Sequence, residues 1–348
     1  MTREDRKLLK HIQEHERHWK PKTHKVERYD PPRRRFDPNS LDGEDQDTEV
    51  PAVEKRPRRK PAPPCTPGLV IGVGPGACGV LSRGEQVSCR PFPGLAVGDR
   101  VLFRRSKIEQ ILPRSTTLSR PDPHNPHVER VIAANIDVVG IVVSVRAPEL
   151  RPGLIDRYLI AIERSGAEPV VCVNKMDLAE SERELAPLTP YRNLGIGVVP
   201  VSAATGEGVD ELLEVLAGRM GVLVGHSGVG KSSLLNAMRP DLEIETRTVS
   251  EAHGKGRHAT TSSRLYEMPN GARIIDTPGI REFGLWQLNR EELHGHFYEF
   301  DAWAAACRFA DCTHTHEPGC AVQQAVETGA IPPARYQAYR RILASLKR

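Results

Sequence analysis

The chain of 348 residues lacks three features that would place it in a membrane or outside the cell. No stretch approaches the roughly 18 to 20 consecutive apolar residues that are needed to span a bilayer. The N-terminus has no apolar core of the kind that a secretory signal peptide requires. The seven cysteines are an odd number without a secretory context, so we expect no disulfide framework. These absences predict a cytoplasmic protein that does not bind a membrane.

Residues 1–64 also have too few apolar side chains to form a core, and we expect a disordered, charged extension. The first 60 residues hold 17 Lys or Arg against 13 Asp or Glu, so they account for the whole net charge of +4. Basic runs such as 33–35 and 55–60 suit nucleic-acid phosphates. A solvated tail without a partner is an equally good interpretation of such runs.

Between residues 65 and 120 the pattern changes to short β-type runs separated by glycine and proline. Five strands are predicted, at 68–73, 78–81, 86–89, 100–103 and 108–112. Five short strands within roughly fifty residues favour a small barrel of the OB type over half of a sandwich. Such barrels commonly bind nucleic acid, but a purely stabilising module fits the pattern as well.

Residues 121–285 alternate strand and helix patterns after a turn-rich linker at 121–126. Residues 136–145 form a β-branched run, as expected of a strand that is buried on both faces of a sheet. Further strands are predicted at 170–173, 197–201, 222–225, 264–268 and 272–275, and helices at 154–164, 209–217 and 231–238. This alternation indicates an α/β domain with a mainly parallel sheet.

The strongest motif lies between the strand predicted at 222–225 and the helix predicted at 231–238, the position of a phosphate-binding loop. It consists of Gly225, His226, Ser227, Gly228, Val229, Gly230, Lys231, Ser232 and Ser233. The glycines let successive N–H groups point at phosphate oxygens beside the positive end of a helix. Lys231 would neutralise the β- and γ-phosphates, and the Ser232 hydroxyl would bind Mg²⁺.

Four residues that follow the predicted strand at 170–173 indicate which base is bound: Asn174, Lys175, Met176 and Asp177. The Asp177 carboxylate can accept from two donors that guanine has and adenine lacks, so ATP would leave it unpaired. Asn174 would brace the loop, and the Lys175 side chain would cover the base plane. Ser202 and Ala203 follow another strand and could close the base pocket through backbone contacts.

A third motif, residues 276–279, ends the strand predicted at 272–275. Asp276 can reach Mg²⁺ through water, and the Gly279 N–H can contact the γ-phosphate. Loss of that phosphate would release the loop, which would make a nucleotide-dependent switch.

Three cysteines and a histidine cluster near the C-terminus: Cys307, Cys312, His314 and Cys320. Three thiolates and one imidazole are the ligand set of a closed structural zinc site, and no nearby general base suggests zinc chemistry. His316 could compete with His314 as the fourth ligand. A redox role for the cysteines is the alternative to metal binding.

The order of these motifs is rearranged, because the base-recognition residues 174–177 and 202–203 precede the phosphate loop and Asp276. In ordinary small GTPases the base motifs come last, so the chain resembles a circularly permuted GTPase. Together with residues 256–261 and the cysteine cluster, it resembles the small-ribosomal-subunit-dependent GTPases of the RsgA/YjeQ type. The resemblance runs from about Pro67 to the C-terminus.

The resemblance implies a multidomain protein: an OB-type β-barrel at 65–120, a circularly permuted α/β P-loop GTPase core at 121–285 and a mostly helical zinc-binding domain at 286–348. It also implies GTP, Mg²⁺ and one structural Zn²⁺ as ligands, with His314 favoured over His316. The protein would act as a monomer late in assembly of the small ribosomal subunit. The subunit and its rRNA would be its partners, and the subunit would stimulate GTP hydrolysis.

Hydrolysis also needs a group that positions the attacking water. Ile280 follows the switch glycine where a Ras-like site has a glutamine, and an aliphatic side chain cannot orient water. His258 is the candidate for this role, as the resemblance also suggests; an exposed histidine that binds rRNA phosphate is the alternative. The chain has Ala259 where the family pattern has a threonine, so we expect Thr260 rather than Thr261 to meet Mg²⁺.

A helix with five basic residues and no acidic one is predicted at 332–348. The face that packs on the protein would carry Tyr336, Tyr339, Leu343 and Leu346, which recur at helical spacing. The opposite face could contact rRNA, or could be simply solvated.

Together the motifs predict an enzyme that couples GTP hydrolysis to binding and release of an immature small subunit. A non-catalytic, GTP-gated RNA-binding module is the second hypothesis, because the glutamine is absent. A nucleotide kinase or ATPase could use the same phosphate loop, but residues 174–177 argue against it.

Overall fold

The computed structural model describes residues 64–122, 125, 128–244, 263–276 and 288–346. The chain divides into two units after Pro64, and every element below lies in the second unit, Cys65–Arg348. The extension predicted at residues 1–64 lies outside the described residues except for Pro64. Within the described ranges, no helix combines the length and the apolar character that crossing a membrane requires.

Five strands form a small barrel at the positions that the sequence predicts. They are Thr66–Val73 (β1), Cys78–Ser82 (β2), Glu85–Cys89 (β3), Arg100–Arg104 (β4) and Lys107–Ile111 (β5). β1 pairs antiparallel with β2 and β4, β2 pairs with β3, and β4 pairs with β5. A parallel bridge between Arg90 and Lys107 joins the ends of β3 and β5 and closes the ring. Closure encloses a core that includes Val70, Val80 and Phe103.

The α/β core is built on six strands in the order β10-β9-β8-β11-β13-β12. Their bounds are Val138–Ser144 (β8), Glu168–Asn174 (β9), Gly197–Pro200 (β10), Met220–Val224 (β11), Ser263–Glu267 (β12) and Arg273–Asp276 (β13). All but β12 run parallel. Every residue of β8 is buried: Val139, Ile141 and Val143 face one core, and Val138 and Val142 face the other. The predicted parallel sheet with two covered faces is confirmed.

Helices cover both faces of this sheet. Helices α1 (Pro152–Ser165) and α2 (Thr189–Asn193) pack on one face, and α3 (Val209–Leu216) and α4 (Lys231–Met238) pack on the other. Helix α1 begins with a proline, whose missing N–H is not needed in a first turn. It ends at Gly166, which has the left-handed φ of 80° that the C-terminal position favours. The sequence did not predict α2 or the 3₁₀-helix Glu182–Leu188 that leads into it.

The turn-rich linker predicted at 121–126 begins too early, because Pro121 is the last residue of a strand. Strands β6 (Thr117–Pro121) and β7 (Glu129–Ala134) pair antiparallel as a separate two-stranded sheet. Leu118 and Ala133 of this hairpin are fully buried in the same core as α1. The residues on both sides of the predicted linker therefore contribute to the core of the α/β domain.

The C-terminal region is mostly helical. It contains the 3₁₀-helices Leu293–His296 and Tyr298–Phe300 and the helices α5 (Asp301–Ala304), α6 (Ala321–Glu327) and α7 (Pro333–Ser345). Tyr339 and Leu343 of α7 are buried and Tyr336 and Leu346 are partly buried, which confirms the predicted packing face. Ile160 of α1 belongs to the same apolar cluster, so α7 packs against α1. The domain limits at residues 64, 120 and 285 stay predictions.

The barrel and the α/β sheet are continuous. At its far end β1 pairs antiparallel with β12, with Gly72 opposite Arg264 and Val73 opposite Ser263. Strand β12 directly follows residues 245–262, which lie outside the described ranges and include the predicted site residues His258 and Thr260. The first strand of the barrel is therefore hydrogen-bonded to the strand that follows His258 and Thr260 in the chain.

Candidate functional site

The phosphate loop, residues 225–233, begins at the carboxyl end of β11 and continues into α4. Two of its glycines are required by the close approach of other atoms. Gly225 has a φ of 147°, and a Cβ there would lie 2.2 Å from the Val142 carbonyl oxygen. Gly230 has a φ of 91°, and a Cβ there would lie 2.3 Å from the Asn174 amide nitrogen. A side chain at either position would displace β8 or the loop after β9.

The Lys231 ammonium folds back over this loop. Its Nζ donates to the carbonyl oxygens of Gly225 at 2.8 Å and His226 at 2.9 Å. Ser232 and Ser233 follow in the first turn of α4, which has no side-chain cap. A helix N-terminus with a lysine beside it attracts phosphate groups. This arrangement suits the phosphates of a nucleotide, and the predicted roles of Lys231 and Ser232 stay predictions.

One buried amide joins the base-recognition motif to the phosphate loop. Asn174 is 1% exposed, and its Nδ2 donates to the Val229 carbonyl oxygen at 2.9 Å. Its Oδ1 accepts from the Ala203 N–H at 3.0 Å. An amide can do both because it is donor and acceptor at once. Three segments that are distant in the chain thus meet at this one side chain.

The Asp177 carboxylate lies in the 3₁₀-helix Met176–Leu178, directly after β9. Its Oδ1 accepts from the Ser202 hydroxyl at 2.6 Å. The Met176 N–H donates to the Val201 carbonyl oxygen at 3.1 Å, so the two loops are also joined through the backbone. The sequence predicted only backbone contacts for residue 202. Its hydroxyl in addition orients the carboxylate that would read the base, and the serine within the motif was the available signal.

Lys175 connects the base loop to the turn after β8. Its backbone is left-handed, with a φ of 65°, and its Nζ donates to the Ala147 carbonyl oxygen. Burial lowers the pKa of the Lys175 ammonium, and the Asp177 carboxylate opposes that shift. The side chain thus joins two loops, and the cover that it is predicted to form over the base stays a prediction.

Asp276 ends β13, which is the neighbour of β11, so it lies at the same edge of the sheet as the phosphate loop. Burial raises the pKa of its carboxyl group, and the Lys231 ammonium opposes that shift. A carboxylate close to the phosphate loop suits the predicted indirect contact with Mg²⁺. His258, Thr260 and Gly279 lie outside the described residues, and their roles stay predictions.

The four predicted zinc ligands come together in the C-terminal region. The ligand atoms of Cys307, Cys312, His314 and Cys320 all lie within 4.8 Å of one another. His314 Nδ1 is 3.5 Å from the Sγ atoms of Cys307 and Cys320, which are 3.9 Å apart. In a tetrahedral site with Zn–S of about 2.3 Å and Zn–N of about 2.1 Å, the nitrogen lies roughly 3.6 Å from each sulfur, and two sulfurs lie roughly 3.8 Å apart. These residues therefore fit a four-coordinate Zn²⁺.

The structure distinguishes the two candidate histidines. His314 is 3% exposed, and burial lowers the pKa of its imidazole, which favours the neutral form that binds metal. The His316 side chain is 81% exposed. Two hydroxyl groups of α7 hold the ligand loop, since Tyr336 donates to the His314 carbonyl oxygen at 2.7 Å and Tyr339 to that of Thr313 at 2.8 Å.

Glu317 organises the same loop and was missed in the sequence. Its carboxylate accepts the N–H groups of Thr313 at 2.9 Å, Thr315 at 3.0 Å and His316 at 3.1 Å. Burial alone would raise the pKa of this carboxyl group, but the hydroxyl and N–H donors lower it well below its usual range. An acid after alternating threonines and histidines was the available signal, because such a carboxylate can receive N–H groups of the residues just before it.

This chain is similar to known proteins of one family. A family model described as RsgA GTPase matches residues 111–286, half of the chain. The protein named small ribosomal subunit biogenesis GTPase RsgA of Histophilus somni (strain 2336) is 42% identical over 279 residues, which cover 76% of this chain and 79% of that protein. The crystal structure of YjeQ from Thermotoga maritima has a TM-score of 0.65 at 32% identity, covering 82% of this chain and 100% of that chain. The structure of YloQ, described as a circularly permuted GTPase, has a TM-score of 0.62 at 28% identity, covering 80% and 94%.

Proposed function

This chain belongs to the RsgA family of GTPases, and from that premise we propose that it hydrolyses GTP in the biogenesis of the small ribosomal subunit. The observation that carries the proposal is a pair of hydrogen bonds: Asn174 donates to the Val229 carbonyl oxygen and accepts from the Ala203 N–H. These bonds hold the base-recognition loop and the phosphate loop together at one edge of the sheet. A guanine nucleotide is the ligand whose base and phosphates match both loops.

In the proposed site, Asp177 pairs with the guanine edge and Lys231 neutralises the β- and γ-phosphates. The hydrogen bond from the Ser202 hydroxyl supports the first role, because it fixes the orientation of the Asp177 carboxylate. Ser232 and Thr260 would hold Mg²⁺, with Asp276 acting through water. The metal ion, when bound, offsets the charge that develops on the phosphates during hydrolysis.

We assign the positioning of the attacking water to His258. The residue after Gly279 is Ile280, which has no polar atom with which to orient water. His258→Ala should retain the affinity for a non-hydrolysable GTP analogue but lose subunit-stimulated turnover. Single-turnover assays with and without small subunits would measure this. Unchanged stimulated turnover would remove His258 from the mechanism.

We further propose a monomer that acts in the cytoplasm and contacts the rRNA of the small subunit. The closed five-stranded barrel supports rRNA contact, because OB-type barrels commonly bind nucleic acid. The cysteine cluster supports a structural Zn²⁺ in the C-terminal region, because its spacing fits the metal.

GTPase activity titrated with purified ribosomal subunits tests the proposed function. We expect turnover to rise with the small subunit and to stay at its basal value with the large subunit. Stimulation by the large subunit alone would overturn the assignment. Competition between GTP and ATP for the free protein gives an independent check, and equal affinity would contradict the role of Asp177.

A further inference from the structure

A cavity of about 460 Å³ lies between the first turn of α1, helix α7 and the phosphate loop. Small residues leave this space unfilled, since Gly153 of α1 and Ala334 and Ala338 of α7 line it. The phosphate loop contributes His226 to the wall. The volume is in the range of pockets that hold a ligand or part of a larger partner.

The cavity is lined by three basic side chains, Arg151, Arg157 and Arg341. Arg157 donates to the Ser345 hydroxyl at 3.3 Å, and Arg341 donates to the Gln337 carbonyl oxygen of its own helix at 3.2 Å. Within the part of the chain that the structure describes, none of these three guanidinium groups forms an ion pair with a carboxylate. Three such charges without an acid make the cavity strongly positive.

The beginning of α1 adds to this field. Its first turn has no acidic residue and no side-chain cap, so its N–H groups and the helix dipole favour a negative charge there. A Cβ on Gly153 would lie 3.8 Å from the Arg341 Cζ, so a guanidinium group of α7 lies over this helix end. Two separate cationic features, from helices that are far apart in the chain, therefore meet in one space.

We propose that this cavity binds a phosphate of the rRNA backbone when the protein docks on the small subunit, an inference that rests on the function proposed above. A phosphodiester suits the site because the arginine fork donates two hydrogen bonds to phosphate oxygens. Arg151, His226 and Arg341 are exposed, so a large partner can reach them. Such a contact fixes the position of the protein on the RNA and reads no base sequence.

His226 gives this site a connection to GTP. Its carbonyl oxygen accepts from Lys231 Nζ at 2.9 Å, and its side chain lines the cavity. An RNA phosphate in the cavity therefore lies against the residue that holds the phosphate-binding lysine. Docking on the subunit would in this way affect the position of Lys231 in the nucleotide site without any contact between RNA and GTP.

Two variants change the cavity in different ways. Arg157→Ala/Arg341→Ala removes two guanidinium groups, whereas Gly153→Glu keeps all three and places a carboxylate among them. An acid at a helix N-terminus is stabilising, so Gly153→Glu should not lower the melting temperature. Both variants should bind purified small subunits more weakly than the wild type. The slope of log K against log salt concentration should fall by about one, as expected when one phosphate contact is lost.

Arg183→Ala is the matched control, because it removes an exposed arginine of the same core away from the cavity. It should keep the wild-type salt slope. Wild-type slopes in both cavity variants would overturn the inference while leaving the proposed function intact. If the wild type showed no preference for small over large subunits, the proposed function would fail. In that case, the salt slopes of the wild type and the two cavity variants on a labelled single-stranded RNA of about 20 nucleotides would show whether the cavity binds a phosphate.

Discussion

Asn174 contacts segments that lie 55 and 29 residues further along the chain. The sequence predicts that this residue braces its loop, because the motif after a buried strand is recognisable. The partner on the phosphate loop could not be predicted, since it is the backbone carbonyl of Val229 and a backbone atom leaves no mark in the sequence. The Ser202 hydroxyl on Asp177 is a similar case, because its direction depends on how two loops meet.

Asn174→Ala should weaken nucleotide binding. The change leaves the Val229 carbonyl and the Ala203 N–H without their partner in a buried place, at a cost of about 1 to 3 kcal/mol for each group. Part of this cost is shared by the nucleotide-free protein, so we expect about 1.4 to 2.8 kcal/mol to fall on binding, which is a tenfold to hundredfold loss of GDP affinity by titration calorimetry. Asn193→Ala makes the same chemical change at an exposed position and should bind GDP as the wild type does. Wild-type affinity in Asn174→Ala would contradict the bracing role.

At the scale of elements, the barrel strands could be predicted because glycines and prolines separate them clearly. The β6–β7 hairpin, in contrast, could not be predicted from the sequence. Strand β6 ends on Pro121, and β7 begins with the exposed pair Glu129 and Arg130, so neither strand shows a clean alternation of apolar and polar residues. Burial of Leu118 and Ala133 against α1 stabilises the hairpin, and that contact is tertiary. Sequence patterns report local periodicity and miss strands that depend on distant packing.

The element that should depend most on metal is the loop between α5 and α6, which carries all four zinc ligands. Cys312→Ser leaves three ligands, so the purified protein should contain much less than one zinc per chain and should unfold at a lower temperature. Elemental analysis and thermal melting would measure both effects. Cys65→Ser lies outside the cluster and should keep the zinc of the wild type. Full zinc content in Cys312→Ser would show that the cluster does not hold the metal.

At the scale of the whole molecule, a buried ion network joins the C-terminal region to the α/β core. Arg335 of α7 donates to Asp156 of α1 and, at 2.5 and 3.2 Å, to Glu299. The three side chains are 5%, 2% and 13% exposed. Tyr191 donates to Asp156 at 3.0 Å, and the Arg335 guanidinium lies 4.5 Å from the centre of the Phe297 ring. The network sets the position of α7, and hence of the zinc loop, against α1.

Arg335→Met should destabilise the protein by about 3 to 5 kcal/mol, because it leaves the buried Asp156 and the partly buried Glu299 carboxylates without a counter-charge. Chemical denaturation followed by circular dichroism would measure the loss. Arg164→Ala removes the partner of Glu292 in an exposed ion pair that also joins α1 to the C-terminal region, and it should change stability little. Equal effects of the two substitutions would mean that the buried network does not hold the regions together.

The pairing of β1 with β12 also bears on how the protein is made. Synthesis begins at the N-terminus, so β1 to β5 and then β8 to β10 leave the ribosome before the phosphate loop exists. Strands β12 and β13 are made afterwards. Strand β13 pairs with β11 beside the phosphate loop, and β12 pairs with β13 and with the C-terminal end of β1, which was made much earlier. Such distant pairing is slow to form. The nascent chain therefore completes its nucleotide site and its connection to the barrel together, late in translation.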